Sequence, residues 1–393
     1  MSEPLTDLPP TRPSRLLFAV TVPVTAKSFL LGQLGDLAER GHDVHLVSSP
    51  GLDRALLDER VTLHEVPLSR DPSLVSDLRS LAVLVRLLRR IRPQITVVGT
   101  PKAGLLVGLA ALLTRVPRRF YLLRGLRLEG TSGPTRLLLT ALEVLSCRAA
   151  HRVVAVSPSL AGEVRRLPGV RRRDVVVVGS GSSNGVDAQR FSPAGDSRRA
   201  ERRDELGVHE GVVVVGFVGR LTPDKGLVEL LAVAEGLKDR RDIVFLVIGD
   251  FEGTGDQVSH RERLTRLGIR VTGYVRDTAP WYAAMDVLVL PTYREGFPNV
   301  VLEAAASGLP TVTTLATGAR DSVVDGVTGL LVPPRDAAAL QSAVLQLVDS
   351  PELRHSMGVA ARARVLDAFD QPTVWRQYSE VWLDTELRRD RKR

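Results

Sequence analysis

The stretch REGFPNVVLEAAASGLP, residues 294–310, decides how the rest of the chain is read. Pro298 suits the first turn of a helix, where its missing N–H costs nothing, and Gly308 is a typical C-terminal stop. A short helix is therefore expected over about residues 299–307. The apolar run 286–290 just before it is of strand type, which makes a strand, a loop and a helix whose free amides face the loop. Such a helix start is a ready anion site. Glu295 stays on the loop, and Glu303 falls in the second turn of the helix. Carboxylates accept hydrogen bonds from hydroxyls. An anion pocket flanked by two of them suits a phosphate that carries polyols on both sides, and a nucleotide sugar is such a ligand.

Outward from this stretch, strand and helix patterns alternate along the chain. Strands are expected at 15–22, 44–48, 62–66, 95–98, 119–123, 152–156 and 175–178 in the first half. In the second half they fall at 212–218, 243–248, 270–272, 286–290, 311–313 and 330–332. Alternation of this kind predicts an α/β fold of doubly wound parallel sheets, with ligands beyond the carboxyl ends of the strands. Arg220 and Glu295 both lie just after strands. The polar segment 191–210 reads as the hinge. The expected division is a disordered leader at 1–14, an N-terminal Rossmann-like domain at 15–190 and a C-terminal one at 191–370. A terminal helix at 371–387 and a basic tail to residue 393 complete it.

Composition narrows the function classes. With 44% hydrophobic and 25% charged residues, the 393-residue chain has the make-up of a soluble globular protein. Its single cysteine, Cys147, excludes an internal disulfide framework and fits a reducing cytosol, and it reads as a small core residue rather than a nucleophile. The longest uncharged apolar run, 103–113, falls short of the roughly 20 residues that a membrane-spanning helix needs. Residues 1–190 carry 27 Lys and Arg against 16 Asp and Glu, whereas residues 191–393 carry 26 against 29. Aromatic residues are only 4%, with no stacking platform among the basic runs, so no nucleic-acid partner is expected. An anionic membrane surface is a plausible partner for the basic half. Residues 78–92, LRSLAVLVRLLRRIR, place Arg79, Arg86 and Arg90 opposite Leu81, Leu84, Leu88 and Ile91. This is the pattern both of an interfacial helix and of a helix packed on a sheet.

Three signatures in order carry a family resemblance. They are Val218-Gly219-Arg220-Leu221-Thr222-Pro223-Asp224-Lys225-Gly226, the two-glutamate stretch 294–310, and Ser183-Asn184-Gly185-Val186-Asp187 with Arg190-Phe191-Ser192-Pro193. Together they resemble the retaining glycosyltransferases of family four, which have the two-domain GT-B fold. The resemblance implies that Arg220, Lys225 and Glu295 carry the catalysis. Arg220 and Lys225 would hold the donor diphosphate, and Glu295 the hydroxyls of the donor sugar. Gly219, Gly296, Phe297, Pro298, Asn299 and Val300 would line the donor, Glu303 would hold its ribose, and Tyr274 and Val275 would lie near its base. A guanidinium fork and an ammonium suit the two phosphates. No D-x-D occurs, so no metal and no other cofactor is expected.

The first half is similar to a bacterial subgroup that extends polyprenyl-diphosphate-linked saccharides for capsule or exopolysaccharide. The segments concerned are VTVPVT at 20–25, GTPKAGLL at 99–106 and LRGL at 123–126. Many members of the wider family have a Gly-Gly loop where this chain has residues 23–27, a histidine where it has Gly99, and a histidine where it has Arg124. Thr25, Lys27, Lys102 and Arg124 are the acceptor-side candidates, and the three cations suit an acceptor bearing phosphate. The expectation is a cytoplasmic, peripherally membrane-associated enzyme that moves a sugar, most simply from a UDP-sugar, onto a lipid-linked glycan. A nucleotide-sugar 2-epimerase of the same architecture and a noncatalytic nucleotide-sugar-binding partner are the alternatives.

Overall fold

Strands whose residues are apolar on both faces belong in sheets covered on both sides, and runs such as VVVGFV at Val213–Val218 have that character. In the computed structural model, which describes residues 13–68, 74–252 and 257–384, thirteen strands, most of them of this kind, form two sheets. The first contains β1 Arg15–Ala19, β2 Asp43–Ser48, β3 Thr62–Glu65, β4 Ile95–Val98, β5 Arg118–Leu123, β6 Arg152–Ala155 and β7 Val175–Val177, in the order β3-β2-β1-β4-β5-β6-β7. The second contains β8 Val213–Val218, β9 Ile243–Ile248, β10 Arg270–Val271, β11 Val287–Leu290, β12 Thr311–Thr314 and β13 Gly329–Val332, in the order β10-β9-β8-β11-β12-β13. Every pairing is parallel. Each strand lies where the sequence places it, within two or three residues at the ends. The strand order reverses between β1 and β4 in one sheet and between β8 and β11 in the other. Those are the positions where open parallel sheets take ligands.

The chain divides into two compact units. Met1–Val156, Ala161–Val178 and Trp375–Arg393 make the first, and Ser157–Leu160 with Gly179–Val374 makes the second. This differs from a hinge at 191–210. Residues 196–205 form the helix Asp196–Glu205, and Arg199 and Arg203 each donate to the Asp286 carboxylate beside β11, at 2.5 Å. Charge that reads as linker polarity is spent on fastening this helix to the second unit. The proposed leader, up to residue 12, and the basic tail lie outside the described residues.

In the first unit the helix Pro101–Leu113 is apolar all round beyond Lys102 in its first turn, and most of it is buried between the helices Leu74–Ile91 and Gly133–Ala149. The Leu74–Ile91 helix buries Leu84, Leu88 and Ile91 and exposes Arg79, Arg86 and Arg90. Its apolar stripe is thus occupied by packing. Among the described residues no helix is long and apolar enough to cross a membrane. Cys147 is buried, and burial pushes its thiol pKa up, as expected of a core residue. The terminal helix runs Gln371–Leu383, and the rest of the segment expected as helix, 385–387, lies outside the described residues. Its Trp382 is wholly buried, edge-on to Phe120 with ring centres 4.7 Å apart, and 5.3 Å from the Tyr378 ring. Arg118 donates to the Trp382 carbonyl at 3.2 Å, which fixes the end of the helix against the start of β5. Trp382→Ala is expected to destabilise the first unit by about 3–5 kcal/mol, because the cavity cannot fully collapse. A lower urea midpoint for that unit's unfolding checks this.

Candidate donor site in the second unit

The site is built where β8, β9, β11 and β12 end. After β8, Gly219 takes a φ of 152° and the chain turns through Pro223–Lys225 into the helix Leu227–Gly236. Gly226, with φ 78°, sits so close to the next loop that a Cβ there would lie 2.1 Å from the Pro291 carbonyl oxygen. Only glycine satisfies both conditions. The two loops are then laced together. The Tyr293 amide and the Thr292 hydroxyl both donate to the Asp224 carbonyl, at 2.9 and 3.1 Å. On the far side the Glu295 amide donates to the Thr317 carbonyl at 2.9 Å, and a Cβ at Gly318 would meet the Glu295 and Gly296 carbonyls at 2.4 Å. Glu295 is held from both sides by backbone.

This frame brings the expected charges together. The Lys225 ammonium donates to Glu295 Oε1 in a largely sheltered ion pair, with side chains 17% and 14% exposed. Arg220 is half-exposed and donates from Nη1 to Glu252 Oε2 at 2.7 Å. Burial lowers the Arg220 pKa, but Glu252 outweighs it, with Asp224 and Glu295 adding to the same side, so the net shift is upward and the charge is secure. The helix Asn299–Ala306 follows, one residue shorter than expected, with Ser307 as its C-cap and Gly308 in the left-handed conformation just beyond. Pro298 is its N-cap rather than its first residue, and no side chain caps that end. The first amides therefore remain available to an anion.

Glu303 lies one turn into this helix. Its Oε2 accepts from the Tyr282 hydroxyl at 2.8 Å and the Thr278 hydroxyl at 3.2 Å. Its pKa is raised, with burial as the main cause and only partial offset from those two hydrogen bonds and the charge of Arg190. Gly296, Asn299 and Val300 are part-exposed beside the pair, whereas Phe297 and Pro298 are buried. The Phe297 ring packs 5.3 Å from that of Phe369, so this residue supports the loop as core and offers the site its backbone only. Tyr274 is 76% exposed just after β10, with Val275 part-exposed beside it. Glu252, Asp224, Tyr282 and Thr278 were not anticipated. Glu252 had one usable signal, its place just beyond β9 as Arg220 is just beyond β8. Tyr282 and Thr278 precede β11 in a segment with no pattern.

In the first unit Lys27 is exposed on the helix Pro23–Phe29, and Thr25 is part-exposed on it. Lys102 is engaged by Asp77 at 2.7 Å, so its charge is already compensated. Arg124 lies at the end of β5 and donates to the Gly99 carbonyl at 2.8 Å.

Two parallel-sheet units of this topology define the GT-B fold. Comparison with known proteins narrows this. Residues 31–190 match the family described as Glycosyltransferase Family 4, and residues 212–350 match Glycosyl transferases group 1. The capsular polysaccharide biosynthesis glycosyltransferase CapM of Staphylococcus aureus is 34% identical over 355 residues, 89% of this chain and 92% of CapM. The UDP-Gal:alpha-D-GlcNAc-diphosphoundecaprenol alpha-1,3-galactosyltransferase of Escherichia coli is 27% identical over 344 residues, 84% of this chain and 85% of that enzyme. The crystal structure of Anabaena Alr3699/HepE in complex with UDP superposes with a TM-score of 0.79 at 24% identity, covering 93% of this chain and 99% of that one, which speaks for the fold. The chain belongs to the family-four glycosyltransferases and is a glycosyltransferase. This favours the transferase over the 2-epimerase and the noncatalytic partner.

The raised pKa of Glu303 has a sign that can be measured. Its neutral form is favoured in the folded state, so its contribution to stability is present below the ordinary carboxyl value of 4.5 and is lost as pH rises through the higher folded value. Glu303→Gln is expected to flatten the decline in stability of the second unit above pH 4.5. Urea midpoints of both proteins across that range provide the check.

Proposed function

We propose that this enzyme transfers a hexosyl or N-acetylhexosaminyl group, with retention, from a UDP-sugar to a polyprenyl-diphosphate-linked or other glycan acceptor in cell-surface glycan synthesis. The observation that carries the reading is the Lys225–Glu295 ion pair on the loop that leads into an uncapped helix start, with Arg220 within electrostatic reach of Glu295. The names of the staphylococcal and E. coli relatives support the substrate classes, and the UDP in the Anabaena structure supports the base.

In this reading Arg220 and Lys225 take the diphosphate, with the amides near residues 297–300 adding donors. Glu295 accepts from hydroxyls of the sugar, Glu303 from the ribose, and residues 274–275 lie along the base. Each charge-assisted hydrogen bond contributes about 1.5–3 kcal/mol. Catalysis asks for at least about 8 kcal/mol, so the amides and exclusion of water must add to the two cations. The acceptor oxygen attacks the anomeric carbon on the face from which the phosphate departs. The C–O bond to phosphate breaks as the new glycosidic bond forms, and the acceptor proton passes to a phosphate oxygen. No covalent enzyme intermediate and no metal is required, since the arginine, the lysine and the helix start neutralise the leaving group. The site of action is the cytoplasmic face of a membrane, with peripheral attachment through the basic first half.

Nucleotide diphosphate release from UDP-, GDP- and ADP-sugars in the presence of EDTA tests this. Release from a UDP-sugar is expected, reduced about a hundredfold or more in Glu295→Ala, on the scale of losing one transition-state contact. No release from any donor with lipid-linked acceptors supplied overturns the reading. Release that requires a divalent cation overturns its metal-free part.

A further inference from the structure

The second unit has a cavity at the end of its sheet opposite the donor loops, where β11 and β12 begin. Its walls are the loop before the helix Asp196–Glu205 together with that helix's Arg199, the residues that lead into β11, the turn that leads into β12, and the first turns of the helix Pro351–Ala368. The volume is about 290 Å³. Ligand pockets usually take about 300–1,000 Å³, so the space fits a small molecule and not a second nucleotide sugar.

Charge decides which kind of molecule. Among the described residues that line the cavity, Arg199, Arg354 and His355 are basic and Asp286 is the one acid. The Asp286 carboxylate is already shared. Its Oδ1 accepts from Arg199 and its Oδ2 from Arg203, each at 2.5 Å, and Oδ2 also accepts from the Val214 amide at 2.7 Å. The Arg203 pKa is lowered, chiefly by burial; Asp286 opposes this, and the charges of Arg199 and Arg354 add to it. The three guanidiniums therefore share one field, with a single carboxylate among them. That leaves two positive charges in excess, which match a phosphate dianion better than a monocarboxylate.

The donors are in place and open. Arg199 is fixed by Asp286 and by donating from Nη1 to the carbonyls of Ala283 and Met285, at 3.0 and 2.9 Å. Arg354 is fixed by Nη1 alone, which donates to the carbonyls of Leu347 and Val348 at 2.7 Å each. The Nε and Nη2 of Arg354 and the Nε of Arg199 have no protein partner, and none of them is closed off from solvent. His355 is exposed at the rim. Holding like charges together in this way is unfavourable, and an anion in the cavity relieves it. Because the guanidiniums are already anchored, little ordering is needed when that anion arrives.

We propose that this cavity binds a small phosphate-bearing anion between Arg199, Arg354 and His355. The site is separate from the strand ends that carry Arg220, Lys225 and Glu295, so it takes no part in the transfer chemistry.

The test is titration calorimetry on the full chain carrying Arg220→Ala and Lys225→Ala, so that the donor-site cations are silent. The probes are inorganic phosphate, glycerol 3-phosphate and acetate. Both phosphates are expected to bind, and acetate is expected to bind at least about tenfold more weakly. Arg354→Gln should weaken phosphate about tenfold or more, the scale of one charge-assisted hydrogen bond, and Arg354→Lys less. Ala194→Phe, which fills the cavity and leaves every charge in place, should weaken it as much as Arg354→Gln does. His355→Ala, on an exposed side chain where folding is not at stake, should weaken it to a smaller degree. Arg266→Gln, exposed at the end of the helix Gln257–Arg266, should change nothing. Tighter binding of glycerol 3-phosphate than of phosphate supports a phosphate ester as the natural ligand, and equal affinities support the phosphate group alone. Absence of phosphate binding, or unchanged binding in folded Arg354→Gln or Ala194→Phe protein, overturns the proposal. No turnover is read and the donor-site cations are absent, so the result does not depend on the transferase reading.

Discussion

The second unit depends on the close approach of backbone to backbone at the ends of its central strands. At Gly226 the chain passes within contact of the Pro291 carbonyl, and at Gly318 it passes the carbonyls of Glu295 and Gly296. No side chain fits at either point, and neither loop can move without the other. Because the loops after β8 and β11 are locked in this way, an ammonium from one and a carboxylate from the other meet in a single sheltered pair. The chemistry follows from a packing constraint. A strand end by itself would leave Lys225 and Glu295 on independent, solvated turns, where an ion pair contributes little.

The architecture was almost fully legible from the sequence because a parallel sheet buried on both faces writes itself as short apolar runs, and each of the thirteen was found. The places of the residues that lie in compact motifs, at strand ends and a helix start, were legible too. What escaped was whatever depends on neighbours remote in sequence. Glu303 is read easily as a helix acid, but its partners Tyr282 and Thr278 come from a segment with no periodicity, and only the fold brings them near. Phe297 reads as a donor contact because it belongs to the motif, yet its ring faces Phe369, more than seventy residues on. The helix Asp196–Glu205 reads as linker because its charges look solvated, while two of its arginines are committed to Asp286.

The first unit makes the complementary point about cations. Sequence offered Lys27, Lys102 and Arg124 as equivalents, and geometry separates them by burial and pairing. Lys27 is solvated, Lys102 is compensated by Asp77, and Arg124 is enclosed with donors to spare. Formal charge was the same in all three; the cost of leaving it uncompensated was not.

The ion pair between Lys225 and Glu295 has a consequence for discrimination. With the pair closed, each member quenches the other, and the resting site is a poor trap for stray anions. A ligand offering only phosphates can claim the lysine, but it strands a half-buried carboxylate without a partner. A ligand offering only hydroxyls can satisfy the glutamate, but it strands the ammonium. A molecule carrying both groups at the right separation compensates the two losses at once. On the proposed reading, the pair would work as a two-key lock, favouring the intact sugar nucleotide over the spent nucleotide that remains after transfer and helping the product to leave.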